Sequence, residues 1–490
     1  MSESEIDRSK PDRPLWRRPS PKDADLAHQV EHMRKRYLLL DPRFPWDVDA
    51  DVLDPMYRAG VRFWLLTAIL GGLVLMGLST WVYQMIWGLG ITGLNRPVMW
   101  ALYIVNFVYF IGIGHAGTFI SAALRVLKVE WRRPITRAAE TLTVFALISA
   151  ALFPLIHLGR SWKFYWLLPY PNQRQIWPSF HSPLLWDMTA IFTYLTSSIL
   201  FAYIGLLPDL AMARDHTVGW RHNLYRMLAL GWRGTEREWG NLETALNVFS
   251  YAIIPVMFSV HTIVSWDFAM AIQPGWHSTV FGPYFVIGAL FSGVAAVIIV
   301  LITIRKGMHL EYFLRDEHFD GMGKFLLLLS FTWAYFYFND YIVPWYGQDP
   351  VEKSLFQLFA RGPAAPLWYL MLFSNIVLPW LTLWSRKIRT TPAALLFISI
   401  FVNIGMYIER YIIVPVTLGR NEIPFSWGQY IPQIPESLIT VAAFALVAFL
   451  YVLFSRIFPL IPVWEVYEGQ VLRTLRRIGR ALVPTKAEMD

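Results

Sequence analysis

Ten times along the chain an apolar run closes at charges or proline, and each run is long enough to cross a hydrocarbon core of roughly 30 Å. No water reaches such a core to satisfy backbone groups, so the runs must wind into helices. They are read as Val61 to Trp87, Pro97 to Val126, Ile135 to Leu158, Pro183 to Leu210, Leu242 to Ile272, Phe281 to Ile304, Lys324 to Trp345, Pro366 to Trp384, Pro392 to Val416 and Pro435 to Phe458. Only 16% of the residues are charged and 55% are apolar, far from the balance of a soluble enzyme. The expected fold is an all-α polytopic membrane protein with about ten transmembrane helices.

The sequence holds no Cys, which removes disulfides, thiolate-bound iron–sulfur clusters, covalent c-type haem and cysteine nucleophiles together. Of its 11 His, only His115, His157 and His261 lie within or at the end of a span. The four axial His of a two-haem b-type cytochrome are therefore missing, and no haem or iron–sulfur cluster is expected on this chain.

Basic residues orient the spans through their bias toward cytoplasmic connections. Residues 1–60 carry 11 Lys/Arg, the connections on the same side five, five, four and three, and the end of the last span together with the tail after it six. The opposite connections carry one, three, none, two and one. Both termini are thus expected in the cytoplasm, in a bacterial inner membrane, with no cleavable signal peptide. Ala27 to Leu40 reads as a basic surface helix or a merely solvated one, and Glu465 to Asp490, with Arg473, Arg476, Arg477 and Arg480, as a basic tail against anionic lipid. A nucleic-acid partner is not expected beside a membrane.

Pro-Leu-Leu-Trp-Asp-Met (183–188) opens the fourth span and Pro-Leu-Trp-Tyr-Leu-Met (366–371) the eighth, four spans later. The fifth and ninth spans also match in placing ionisable residues near their far ends. The chain therefore divides into an N-terminal extension (1–60), a first helix and connection (61–96), a four-helix bundle (97–272), a related second bundle (273–416), a connection with the tenth helix (417–458) and a tail (459–490).

Polar side chains inside a span are expensive and so mark candidate sites. Pro154 to Arg160 runs out of the third span and Trp186–Asp187 opens the fourth, which puts His157 and Asp187 at similar depth on the non-cytoplasmic side. The aromatic, proline-rich connection between them, Trp162 to His181, is too apolar for a free aqueous loop and reads as a lid. An imidazole beside a carboxylate suits quinol oxidation, which releases two protons with two electrons. The bland alternative is that the pair fastens the loop backbone. His261, Ser265 and Asp267 form a second set, open to a proton-exit role or to plain interhelical bonding. Asp340, Glu409 and Arg410 repeat the theme in the second bundle, and Asp340 is the expected partner of Arg410, because neighbours at i and i+1 point apart. Glu140, Asp209 and Glu243 read as solvated helix-end acids, and Gly112, Gly114 and Gly117 as close-packing positions beside His115.

Phe110 to Ser121, with its Gly-Ile-Gly-His-Ala-Gly core, Pro154 to Arg160, Ser182 to Met188 and Ser259 to Ala269, in that order, together resemble the NrfD/polysulfide-reductase-C family. The ten-span form with extended termini is similar to the quinol-oxidising membrane subunits of bacterial alternative complex III. The resemblance implies a quinol site at His157 and Asp187, with Arg160 and Gly114 as weaker carry-overs, and menaquinone as the expected substrate. It implies partners as well: an iron–sulfur subunit, c-type haem subunits and a second NrfD-like membrane subunit. It also implies a candidate proton path through His261, Asp267, Asp340, Glu409 and Arg410. Rival readings from other classes are a secondary ion or proton transporter and a passive anchor for peripheral redox subunits.

Overall fold

Uninterrupted apolar sequence lets each run wind into one long helix, and the helices overshoot the runs wherever polar capping allows. In a computed structural model the protein is described over residues 52–53, 56–57, 59–168, 183–466, 474–478 and 481–485. The helices of the first half are α1 (Val61–Trp87), α2 (Leu102–Thr118), α3 (Arg133–His157), α4 (Pro183–Asp215) and α5 (Glu236–Ala269). Those of the second are α6 (Phe281–Gly307), α7 (Asp316–Gly347), α8 (Ala365–Leu372, continued by Leu378–Thr382), α9 (Pro392–Tyr411) and α10 (Ile434–Ile457). Among the described residues nine helices are long and apolar enough to cross a membrane. The expected seventh span falls in α7, which is not among the nine: its first turn carries Asp316 and Glu317, and tyrosines with Asn339 and Asp340 interrupt its apolar stretch.

Several boundaries differ from the sequence expectation for identifiable reasons. α2 starts at Leu102 because Asn95 and Val98 close a turn around Pro97, with Asn95 N donating to Val98 O at 2.9 Å. α5 starts at Glu236, six residues before its apolar run, because Thr235 and Glu238 form a reciprocal capping box. The apolar run marks the part of a helix that needs lipid, not the helix itself. Wide π turns at Phe373–Val377 and Ile412–Val416 accommodate Pro379 and Pro415, whose rings cannot follow an ordinary α turn. Beyond the helical unit, Thr474–Ile478 and Ala481–Thr485 pair as antiparallel strands, Thr474 opposite Thr485, where a plain basic tail was expected. Arg473 and Arg480, like Ala27 to Leu40, lie outside the described residues.

Two rings of helices result. In one, α2 packs on α3, α3 on α4, α4 on α5 and α5 on α2; in the other, α6 to α9 meet in the same cyclic order. The rings join where α2 lies against α6, and α1 and α10 pair with each other on the outside. Close approach inside the first ring rests on Gly117, where a Cβ would stand 2.1 Å from the Ala139 carbonyl oxygen. Polar side chains stitch the rings to α10: Tyr407 donates to Asn106 at 2.7 Å, Asn106 donates to Thr440 at 2.8 Å, and Tyr109 donates to Asn403 at 2.9 Å. Without a hydrophobic force between helices in lipid, such bonds and small-residue contacts supply the association.

At the end of the bundle where α3 begins, charge is buried rather than solvated. Arg137 lies 3.1 Å from Asp209 and 3.9 Å from Glu140, while Arg132 and Arg125 reach Glu465 at 3.0 and 3.4 Å. Asp209 is wholly buried and Glu140 nearly so, which corrects their reading as solvated acids; Glu243 alone of the three is exposed. The guanidiniums were three or four residues away on the same helix or on a distant segment, a pairing that a span-by-span reading misses.

Candidate functional site

α3 ends where Gly159 takes a φ of +67°, and a Cβ there would press on Leu89 at 2.8 Å, so the turn out of the helix requires glycine. The chain then makes a 3-10 turn, Ser161–Leu167, fastened to α1 and α3. Trp81 donates to Ser161 Oγ at 3.2 Å, and Ser161 donates to Leu155 O at 2.7 Å. Gln84 of α1 is fully buried beside it, donating to Ile156 O at 2.9 Å and accepting from Tyr103. The expected lid therefore begins as a strapped turn that presents Trp162 outward; residues 169–182 lie outside the described residues. These straps fix the end of α3, and with it His157, whose Nδ1 is buried and has no hydrogen-bond partner among the described residues.

One turn into α4, Asp187 is buried and its carboxyl faces that of Asp267, buried near the end of α5. The preceding residues lock the same register: the rings of Trp186 and Trp266 meet edge to face at 6.0 Å. Oδ1 of Asp187 and Oδ1 of Asp267 are both buried without a hydrogen-bond partner among the described residues. Buried polar atoms are nearly always satisfied, so three orphans at one end of one bundle mark a place for a polar ligand.

The structure does not join all the expected residues. No hydrogen bond or ion pair links His157 to Asp187 among the described residues; the partner of Asp187 is Asp267, which the sequence reading had placed in a separate proton path. Arg160 is exposed at the surface. Gly114 sits 12 residues into α2, about 18 Å along the axis from the end that faces His157. Its carbonyl accepts from Thr143 at 2.7 Å and Tyr194 at 3.0 Å, so it is a helix-packing position.

A family model described as "Polysulphide reductase, NrfD" matches residues 90–419, from just before α2 to just past α9. The chain belongs to the NrfD family. This NrfD-family chain is 27% identical over 277 residues to a Halobacterium salinarum protein named as a putative dimethyl sulfoxide reductase membrane subunit, a match that covers 56% of this chain and spans only 58% of that relative. It is 21% identical over 420 residues to a selenate reductase subunit of Mesobacillus selenatarsenatis, covering 81% of this chain and 93% of that one. Family and apolar helices together make it a multi-pass membrane protein.

The remaining candidates of this NrfD-family chain gather elsewhere. His261 is fully buried in the ring interior, 4.6 Å ring to ring from His115, and neither of its nitrogens makes a well-formed hydrogen bond among the described residues. Both nitrogens of His115 face carbonyl oxygens, Ile111 at 2.7 Å and Met257 at 2.9 Å. Arg410 is not held by Asp340: its guanidinium lies 3.0 Å from Glu409, its own neighbour, and 4.4 Å above the ring of Phe285. A four-atom stem lets the head swing back along the helix, which a rule based on Cβ directions does not capture. Glu409 also accepts from Trp333 at 2.9 Å and from Tyr284. Those two partners were missed; the aromatic run Trp333 to Tyr341, with Tyr337 and Tyr341 one turn apart, was the available signal.

Outside the spans, at the opposite end of the bundle, lies the buried Glu465. Burial would raise its pKa, but the guanidiniums of Arg132, Arg125 and Arg133 outweigh burial and hold it below the ordinary glutamate value.

Proposed function

We propose that the chain is the quinol-oxidising membrane subunit of a multi-subunit oxidoreductase. The observation that carries this reading is the carboxyl pair Asp187–Asp267, whose Oδ1 atoms, like Nδ1 of His157 at the same end of the first ring, have no hydrogen-bond partner among the described residues. A quinol headgroup between α3, α4 and α5 supplies the missing donors. One hydroxyl donates to His157 Nδ1 and the other to a free carboxyl oxygen of the pair. Oxidation of quinol to quinone releases two electrons and two protons. His157 takes one proton and the carboxyl pair the second. Burial of the groups excludes water and keeps both hydroxyls directed at their acceptors.

Two relatives named as parts of reductases support the direction, because a reductase consumes electrons and its membrane partner must deliver them. The electrons leave to an iron–sulfur centre on a partner subunit. Assembly as alternative complex III, with c-type haem subunits and a second NrfD-like subunit, and with menaquinol as substrate, is the finer form of this reading, supported by the ten-span form and extended termini. Both termini then lie in the cytoplasm and protons leave on the other face. Quinol-driven reduction of the partner's iron–sulfur centre tests the reading: it proceeds in the native complex and stalls in Asp187→Asn, whereas a secondary transporter moves its solute in liposomes containing this chain alone, and a passive anchor is indifferent to the substitution.

Proton translocation is a second reading, favoured by the His115–His261 contact, which places two imidazoles side by side in the ring interior. His261→Asn then lowers the protons moved per electron in proteoliposomes with electron transfer intact; loss of both together assigns His261 a packing role.

A further inference from the structure

The second ring encloses a cavity of about 400 Å³ that the quinol reading leaves unused, within the roughly 300–1,000 Å³ of small-molecule sites. Its walls are aromatic: Phe281 and Tyr284 from α6, Tyr337 and Tyr341 from α7, and Phe356 and Phe359 from the helix Pro350–Ala360 that covers it. The covering helix is held down at the cavity rim by Glu352, which accepts from Gly275 N at 2.9 Å and lies 3.5 Å from His277.

The buried carboxylates inside are acceptors. Glu409 is 1% exposed; its Oε1 takes the Tyr284 and Trp333 bonds, while its Oε2 accepts no hydrogen bond among the described residues. Arg410 stands 3.0 Å from that oxygen, off the hydrogen-bond direction, so the charge of Glu409 is balanced while Oε2, buried behind the cavity wall, has no donor among the described residues. Asp340 and Ser278 share the wall. Flat aromatic walls and carboxylate acceptors favour a planar molecule that donates hydrogen bonds, and the carboxylates Asp340, Asp349, Glu352 and Glu409 disfavour a charged phosphate. At the rim, Val343 is 66% exposed and apolar, which gives an attached hydrocarbon tail a way out between the helices.

We propose that this cavity is a second quinol-binding site, in which a quinol hydroxyl donates to Glu409 Oε2, the ring lies among Tyr284, Tyr337 and Tyr341, and the tail leaves past Val343. The inference rests on quinol being this chain's substrate. The cavity holds no buried histidine among the described residues, His277 lying at the rim and half exposed, so it is a binding site without the base that serves the first ring.

The test uses the intact complex in lipid nanodiscs, photolysed with an arylazido naphthoquinol, with and without excess unlabelled quinol, and mapped by peptide mass spectrometry. Two competable labels are expected, one on residues 333–359 and one on residues 154–190. Val343→Trp and Ile413→Trp, which fill the cavity from two sides, each cut the first label at least fivefold and leave the second. A missing label on 333–359, or one that neither filling substitution reduces, overturns the proposal. A label on 333–359 alone supports it while overturning the His157 site, and absence of both labels overturns both.

Discussion

Asp187 and Asp267, 80 positions apart in sequence, turn their buried carboxyls toward each other, and the tryptophans that precede them pack edge to face at 6.0 Å. α4 and α5 are thereby registered twice over, by a polar contact that points at the site and an aromatic one beside it. Two acids held this way act as one proton-accepting unit.

Single substitutions should therefore be strongly non-additive. Asp187→Asn and Asp267→Asn are each expected to lower quinol oxidation by about 10²-fold or more, in the range of a lost general base. The double variant should be little worse than either single one. Steady-state turnover of the purified complex, with every subunit shown to be present, checks this; losses that multiply would assign the two acids independent roles.

Close helix packing gives a contrast between two neighbouring glycines. Gly117→Ala puts a Cβ 2.1 Å from the Ala139 oxygen, a backbone atom that cannot yield, whereas Gly114→Ala meets only the Leu147 side chain at 3.2 Å. The first should cost about 1–3 kcal/mol or more through overpacking, the second much less. Thermal melting of the detergent-solubilised protein should place Gly117→Ala clearly below Gly114→Ala.

Breaking the buried pair at the opposite end should destabilise as well. Glu465→Ala leaves Arg132 buried without its 3.0 Å partner, at a cost of about 3–5 kcal/mol. Denaturation of the solubilised protein, native against variant, measures the difference.

The same residue predicts a pH dependence. Its folded pKa lies below the ordinary value of 4.5, so its stabilising contribution is complete above that value and is lost as pH falls through the lower folded one. Melting temperature should hold from neutral pH down to that range and then drop, and Glu465→Gln should flatten the acid limb. An unchanged acid limb in the variant would assign the drop to other carboxylates.

Much of the fold was legible because lipid leaves a sequence few choices: apolar length gave the spans, and α1 begins and ends at the expected residues. Helix ends were not, since capping residues such as Thr235 and Glu238 extend helices beyond the membrane part. At the site, His157 and Asp187 stood out as polar residues at matching helix ends, but the contact of Asp187 with Asp267 depends on how two helices rotate against each other, which composition does not encode. Arg410 failed differently: its stem is long enough to reach a neighbour that its Cβ points away from. The cavity of the second ring was hidden because its polar atoms come from four separate segments.

The most direct test of quinol binding at the ends of α3, α4 and α5 is the affinity of a quinol-analogue inhibitor for the intact complex, titrated in parallel for the native protein, His157→Ala and Asp187→Asn. A loss of tenfold or more in both variants, with all subunits still assembled, is the expected result. Affinity unchanged in both would contradict it, leaving His157 and Asp187 as fasteners of the loop above them.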